Sequence, residues 1–177
     1  MSFALAVAII AQAAGVSPIA PLPPACSGAV YAEFDFWVGD WDVYPRLADQ
    51  SKAPLVAHSR IEKLYGGCAV RENWMPLKGA GGGSLNAPDP QTGRWHQYWL
   101  DETGARVDFD GGPAAGGMVL MGYWRGVNGP GKDGLIRMTY TAIDRDTVRQ
   151  HGEISTDHGL SWSESFDLLY LRSKAGG

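Results

Sequence analysis

Arg94-Trp95-His96-Gln97-Tyr98-Trp99-Leu100-Asp101 is a run of large side chains closed at both ends by turn residues. An extended chain points successive side chains to opposite sides. Trp95, Gln97, Trp99 and Asp101 therefore share one face of a strand, and His96, Tyr98 and Leu100 share the other. Asp89-Pro90-Gln91-Thr92-Gly93 precedes the run and Asp101-Glu102-Thr103-Gly104 ends it. Both are reversal sequences: the Asp carboxylate accepts nearby backbone N–H groups, and the Gly takes a positive φ.

The same grammar extends in both directions. Period-two segments separated by turns predict strands near 34–44, 55–64, 68–75, 83–87, 94–100, 105–109, 117–125, 134–141, 147–155 and 162–172. The composition agrees, with 24 Gly, 11 Pro, 7 Trp and 7 Tyr, as many short strands joined by tight turns require. Uninterrupted helical stripes of Leu, Ala, Glu and Lys are missing after residue 15. Consecutive strands with hairpin links make a meander, and a long meander must close or fold into a sandwich, because open edges invite aggregation. The expected fold is all-β: a single antiparallel up-and-down β-barrel of about ten strands. A length of 177 residues suits one domain, and no linker or repeat divides it.

Ser155-x-Asp157-x-Gly159-x-x-Trp162 matches the Asp-box of sialidase propellers. A propeller needs several copies and a longer chain, so one copy reads as a turn pinned by its Trp.

The N-terminus carries an apolar run, Phe3–Ile10, followed by Ala11-Gln12-Ala13, a pattern like a signal-peptidase site. Residues 1–14 thus read as a signal peptide and 15–29 as an extended lead-in, leaving 30–173 for the barrel. No Lys or Arg precedes the run, and a cytosolic N-terminus is the alternative. The run is too short to span a bilayer. On the export reading the protein is periplasmic or secreted, and Cys26 and Cys68 form a disulfide. Two buried free thiols are the other reading.

Phe34-Asp35-Phe36-Trp37-Val38-Gly39-Asp40-Trp41-Asp42-Val43 opens the domain with G-x-W, and Tyr170-Leu171-Arg172 ends its last strand. This arrangement resembles the calycins, the lipocalins and fatty-acid-binding proteins. The resemblance implies that Gly39, Trp41 and Arg172 close one end of the barrel, Trp41 packing against Arg172. The chain also resembles a family of bacterial exported proteins of unknown function with an F-D-F-W-x-G-x-W opening. That likeness spans about 30–172 and includes Gly67-Cys68, Glu72-Asn73-Trp74 and Trp95-His96-Gln97-x-Trp99-x-Asp101. It brings no mechanism with it.

The candidate site follows from the alternation. Two Trp flanking Gln97 suit a pocket for a flat or apolar ligand, the rings supplying area and the amide fixing orientation. A packed core whose Trp N–H groups are satisfied by Gln97 fits the same residues. Glu72 shares a face with Trp74, and Glu164 shares one with Phe166, Leu168, Tyr170 and Arg172. A carboxylate inside an apolar barrel has a raised pKa and can move a proton; a structural ion pair is the plainer alternative. The expected ligand-facing set is Glu72, Trp74, Asn86, Trp95, Gln97, Trp99 and Glu164. Glu72, Glu164 and His96 are the catalytic candidates.

His58, His96, His151 and His158 stand at no metal-ligand spacing, and the glycine pattern of haem-binding ten-stranded barrels is missing. No metal or cofactor is expected. Gly79-Ala80-Gly81-Gly82-Gly83 lacks the Lys-Ser/Thr of a phosphate loop. A net charge of −4 gives no reason to expect nucleic acid as partner. Three functions remain: binding a small hydrophobic or aromatic molecule; a cofactor-free lyase, isomerase or cyclase working through a buried carboxylate; or a structural or interaction domain whose interior is fully packed.

Overall fold

Ten strands follow one another in a computed structural model that describes residues 26–49, 51–127 and 129–174. They are β1 (Gly39–Pro45), β2 (Ala57–Leu64), β3 (Ala69–Pro76), β4 (Gly82–Asp89), β5 (Arg94–Asp101), β6 (Arg106–Ala114), β7 (Gly117–Trp124), β8 (Gly134–Asp144), β9 (Thr147–Ser155) and β10 (Ser163–Arg172). Each pairs antiparallel with the next, and β10 pairs with β1, so the sheet closes into an up-and-down barrel with no free edge. The expected signal peptide, residues 1–14, and most of the lead-in lie outside the described residues.

Turn chemistry sets where strands stop. Asp89 accepts the Gln91 N–H at 2.8 Å and the Thr92 hydroxyl at 3.0 Å, and Gly93 takes φ +68°. Asp101 accepts the Thr103 N–H at 2.9 Å. At the β9–β10 turn, Asp157 accepts the Ser161 N–H at 2.9 Å and the Ser155 hydroxyl at 2.7 Å. Trp162 donates its ring N–H to the Gly159 carbonyl, and Arg137 covers that ring at 4.2 Å. The lone Asp-box is a hairpin clasp.

One expectation fails at the start of the domain. Residues 34–37 are not strand: Asp35–Trp37 is a 3₁₀ turn, and β1 begins at Gly39. The eclipsed i, i+3 geometry of such a turn lets Phe34 and Trp37 stack at 4.9 Å, both fully buried. The pair plugs the end of the barrel where β1 starts. Tyr140 meets both rings at about 5 Å. Outside the plug, Lys63 reaches the Tyr31 carbonyl and the Asp35 carboxylate, and Glu33 accepts the Trp95 ring N–H at 2.9 Å. The bonded pair Cys26–Cys68 ties the incoming chain to the β2–β3 connection.

Beside the plug, Trp41 and Arg172 are cross-strand partners and the guanidinium lies over the indole at 4.3 Å. Gly39 takes φ +147°, and a Cβ there would collide with that guanidinium. Arg172 also donates to the carbonyls of Val38 and Arg145 and pairs with Asp146. The expected closure contact is therefore present. Among the described residues no helix is long and apolar enough to cross a membrane.

Candidate functional site

Inward alternation of β3, β4, β5, β8, β9 and β10 brings seven polar side chains to the middle of the barrel, and together they close a ring. Glu72 accepts the Ser84 hydroxyl at 3.4 Å, and Ser84 accepts the Asn86 amide at 3.0 Å. Asn86 accepts the Gln97 amide at 2.6 Å, and Gln97 reaches the Tyr140 hydroxyl at 3.4 Å. Gln150 donates to the Tyr140 oxygen at 3.0 Å and accepts the Tyr170 hydroxyl at 2.8 Å. The Tyr170 oxygen lies 3.3 Å from Glu72, which completes the circuit. Ser59 adds a hydroxyl on Glu72 at 3.1 Å. Buried amides and hydroxyls are costly unless partnered, and here each finds its partner in the next member.

Glu72 is the one carboxylate in this ring, and burial pushes its carboxyl up to about 7 against the hydrogen bonds of Ser59, Tyr170 and Ser84. Burial also raises both tyrosines, with the nearby Glu72 charge as the second cause. The phenols therefore remain neutral hydrogen-bonding groups while Glu72 titrates near neutrality. Tyr170 has a single proton, and its shorter contact is to Gln150. The proton reaches Glu72, as donor to its Oε1, when the hydroxyl turns away from Gln150.

Beyond the ring, away from the plug, a cavity of about 220 Å³ opens. Its floor includes Glu72, Gln97, Tyr140, Gln150 and Tyr170, and its wall is Trp74, Trp99, Phe109, Trp124, Met138, Phe166 and Leu168. Two inward glycines make room for the rings. A Cβ on Gly122 would collide with Phe109, and one on Gly152 would collide with Phe166. The tryptophans sort by end: Trp37, Trp41 and Trp95 are fully buried around the plug, whereas Trp74, Trp99 and Trp124 are partly exposed at the cavity. The Trp99 ring N–H is buried and meets no acceptor among the described residues.

The structure brings Glu72, Trp74, Gln97 and Trp99 to one cavity, as the alternation of β3 and β5 predicts. Asn86 is buried beneath it as a ring member and does not line it. Trp95 faces inward but at the plug, edge-on to Phe34 at 5.6 Å, with its N–H on Glu33.

Glu164 is on the outer wall. The register of β9 with β10 shifts between Glu164 and Phe166, so Ser165 is an extra residue that turns Glu164 outward while Phe166 stays in. There it lies 3.5 Å from His151, and with His151 and Asp167 it forms a cluster whose Asp167 oxygens already meet Arg149 and Arg46. His96 is also outside, between Asp108 at 3.3 Å and Asp110 at 3.2 Å, and has no path to Glu72.

Sequence reasoning missed Tyr140, Gln150 and Tyr170 as site residues. The signal was available in the alternations Ile136-x-Met138-x-Tyr140 and Val148-x-Gln150-x-Gly152, each with a polar group on an otherwise apolar face. No protein-family model matches the chain, and no curated protein matches it.

Proposed function

We propose that the chain is an exported, calycin-type barrel that binds a small hydrophobic or aromatic molecule in its interior. The observation that carries this reading is the cavity itself, an aromatic wall over a floor of five polar side chains. A core built only for stability is expected to fill this space with aliphatic side chains, since packing to normal density leaves few voids larger than a water. The volume, about 220 Å³, suits a ligand of one or two rings, because about 150 Å³ admits a benzene. Export rests on the disulfide and on the signal-like N-terminus; the calycin assignment rests on the Trp41–Arg172 closure.

The test is tryptophan fluorescence titrated with hydrophobic and aromatic compounds. Trp74, Trp99 and Trp124 are expected to respond, and Gln97→Leu to change the selectivity. Silence across the panel overturns the reading.

A second reading has its own support. A buried carboxyl near pH 7, touching Ser59, Ser84 and Tyr170 at the cavity floor, is matched to general acid or base work. A cofactor-free lyase, isomerase or cyclase would use Glu72 in this way. Ligand binding that survives in Glu72→Gln while turnover disappears would favour it.

A further inference from the structure

We infer that the occupant of the cavity is a small organic amine, bound as its ammonium ion against Glu72 with its apolar body among the tryptophans. The inference rests on the binding function proposed above and narrows its ligand class.

The charges decide first. Glu72 is the one charged side chain in the cavity lining, and no Arg, Lys or His lines it among the described residues. A carboxylate ligand such as a fatty acid would bring a second negative charge to a dry site with no cation to meet it. A neutral ligand leaves Glu72 without a counter-charge. An ammonium supplies one, and a desolvated ion pair of this kind also blocks the site to anions.

Hydrogen-bonding capacity points the same way. Most donors on the floor are spent on neighbours: Tyr170 on Gln150 Oε1 at 2.8 Å, Gln97 on Asn86 Oδ1 at 2.6 Å, and Gln150 on the Tyr140 oxygen at 3.0 Å. As a donor the Tyr140 hydroxyl reaches the Met138 sulfur, at 3.7 Å. Acceptors remain in surplus. Gln97 Oε1 takes no hydrogen bond among the described residues, and Glu72 Oε2 meets only Ser84 at 3.4 Å. A carboxylate offers about four acceptor positions and an ammonium three donors. The floor is thus complementary to a donor-rich head.

The wall completes the match. Trp74, Trp99, Trp124, Phe109 and Phe166 surround the space above Glu72, and aromatic faces attract organic cations, tryptophan most strongly. The titratable groups against Glu72 are Tyr170 and Tyr140; Ser59 and Ser84 supply the other contacts. Bringing an ammonium beside Glu72 favours its ionised form, and a carboxyl that titrates near neutrality yields its proton readily.

Three nearly isosteric probes test this on the full-length protein by tryptophan fluorescence and calorimetry: phenethylamine, propylbenzene and hydrocinnamate. Phenethylamine is expected to bind at least about tenfold more tightly than propylbenzene at about pH 8, with hydrocinnamate weakest. Its affinity should fall by about tenfold on going to about pH 6, as Glu72 takes up a proton, while propylbenzene shows no such fall. Glu72→Gln should abolish the preference for the amine and retain propylbenzene binding. If that variant does not fold, the wild-type pH dependence carries the same information. Equal affinities, or a preference for propylbenzene or hydrocinnamate, overturn the amine assignment and leave the hydrophobic-ligand reading standing. No binding by any of the three also overturns it, and the broader panel then decides the parent reading separately.

Discussion

The guanidinium of Arg172 lies 4.3 Å over the ring of Trp41, its direct cross-strand partner where β10 meets β1. The contact joins the first strand to the last, the step that turns a sheet into a barrel. Arg172→Ala should lower stability by about 1–3 kcal/mol through lost stacking and stem packing. Urea denaturation measures it, and a loss under about 0.5 kcal/mol, typical of a neutral surface site, would deny the contact a closing role. Gly39→Ala should be at least as harmful, because the Cβ displaces the same guanidinium.

Glu72 gives the protein a pH signature with a definite sign. Its folded-state pKa of about 7 stands above the usual value of 4.5. Below about pH 4.5 both states are protonated and the group makes no difference. Between about pH 4.5 and 7 the unfolded chain loses this proton while the folded barrel keeps it, so stability falls as pH rises, by about 3 kcal/mol in all. Lowered carboxylates such as Asp157, at about 2, act only in more acid solution. Denaturation at about pH 5 and about pH 8 should therefore isolate Glu72, and Glu72→Gln should flatten the difference. An unchanged slope in the variant would rule out Glu72 as its source.

The bond between Cys26 and Cys68 closes a loop with a sequence separation of 42. Its removal by Cys26→Ser with Cys68→Ser should cost about 4 kcal/mol by the chain-entropy argument. Labelling of unreduced, denatured wild type should find no free thiol; two labelled thiols would contradict the pairing.

Gly152→Ala should disturb the cavity without touching a polar group, since its Cβ collides with the Phe166 ring. Overpacking of this kind costs about 1–3 kcal/mol, and ligand affinity should fall with it. A variant with wild-type stability and affinity would mean that Phe166 has another place to go.

The fold was legible because each strand announces itself locally, by alternation, with Asp and Gly at the reversals. Closure was legible in Gly39, Trp41 and Arg172 through family resemblance. The site was legible on β3 and β5, where no irregularity interrupts the alternation. It was not legible on β10, where one extra residue at Ser165 reverses the side of everything before it, and Glu164 went with it. Nothing in Ser163-Glu164-Ser165-Phe166 marks that shift, because it is decided by pairing with β9. Trp37 was misread for a related reason. An aromatic run suits strand and plug equally, and only the open end of a closed barrel makes a plug worth forming. The ring from Glu72 through Gln97 and Gln150 to Tyr170 needs strands far apart in sequence, so Glu72, Asn86 and Gln97 were visible singly, Tyr140, Gln150 and Tyr170 were missed, and the circuit was not legible.

The plug of Phe34 and Trp37 makes the barrel a blind tube, stoppered where β1 begins and, among the described residues, open past Trp74, Trp99 and Trp124. Whatever enters must leave by the same doorway. Uptake and release then share one bottleneck, and because the same tryptophans line the cavity, a change at the rim alters rate and affinity together. The stopper is held from both sides, by β1 and by the covalent staple at Cys26.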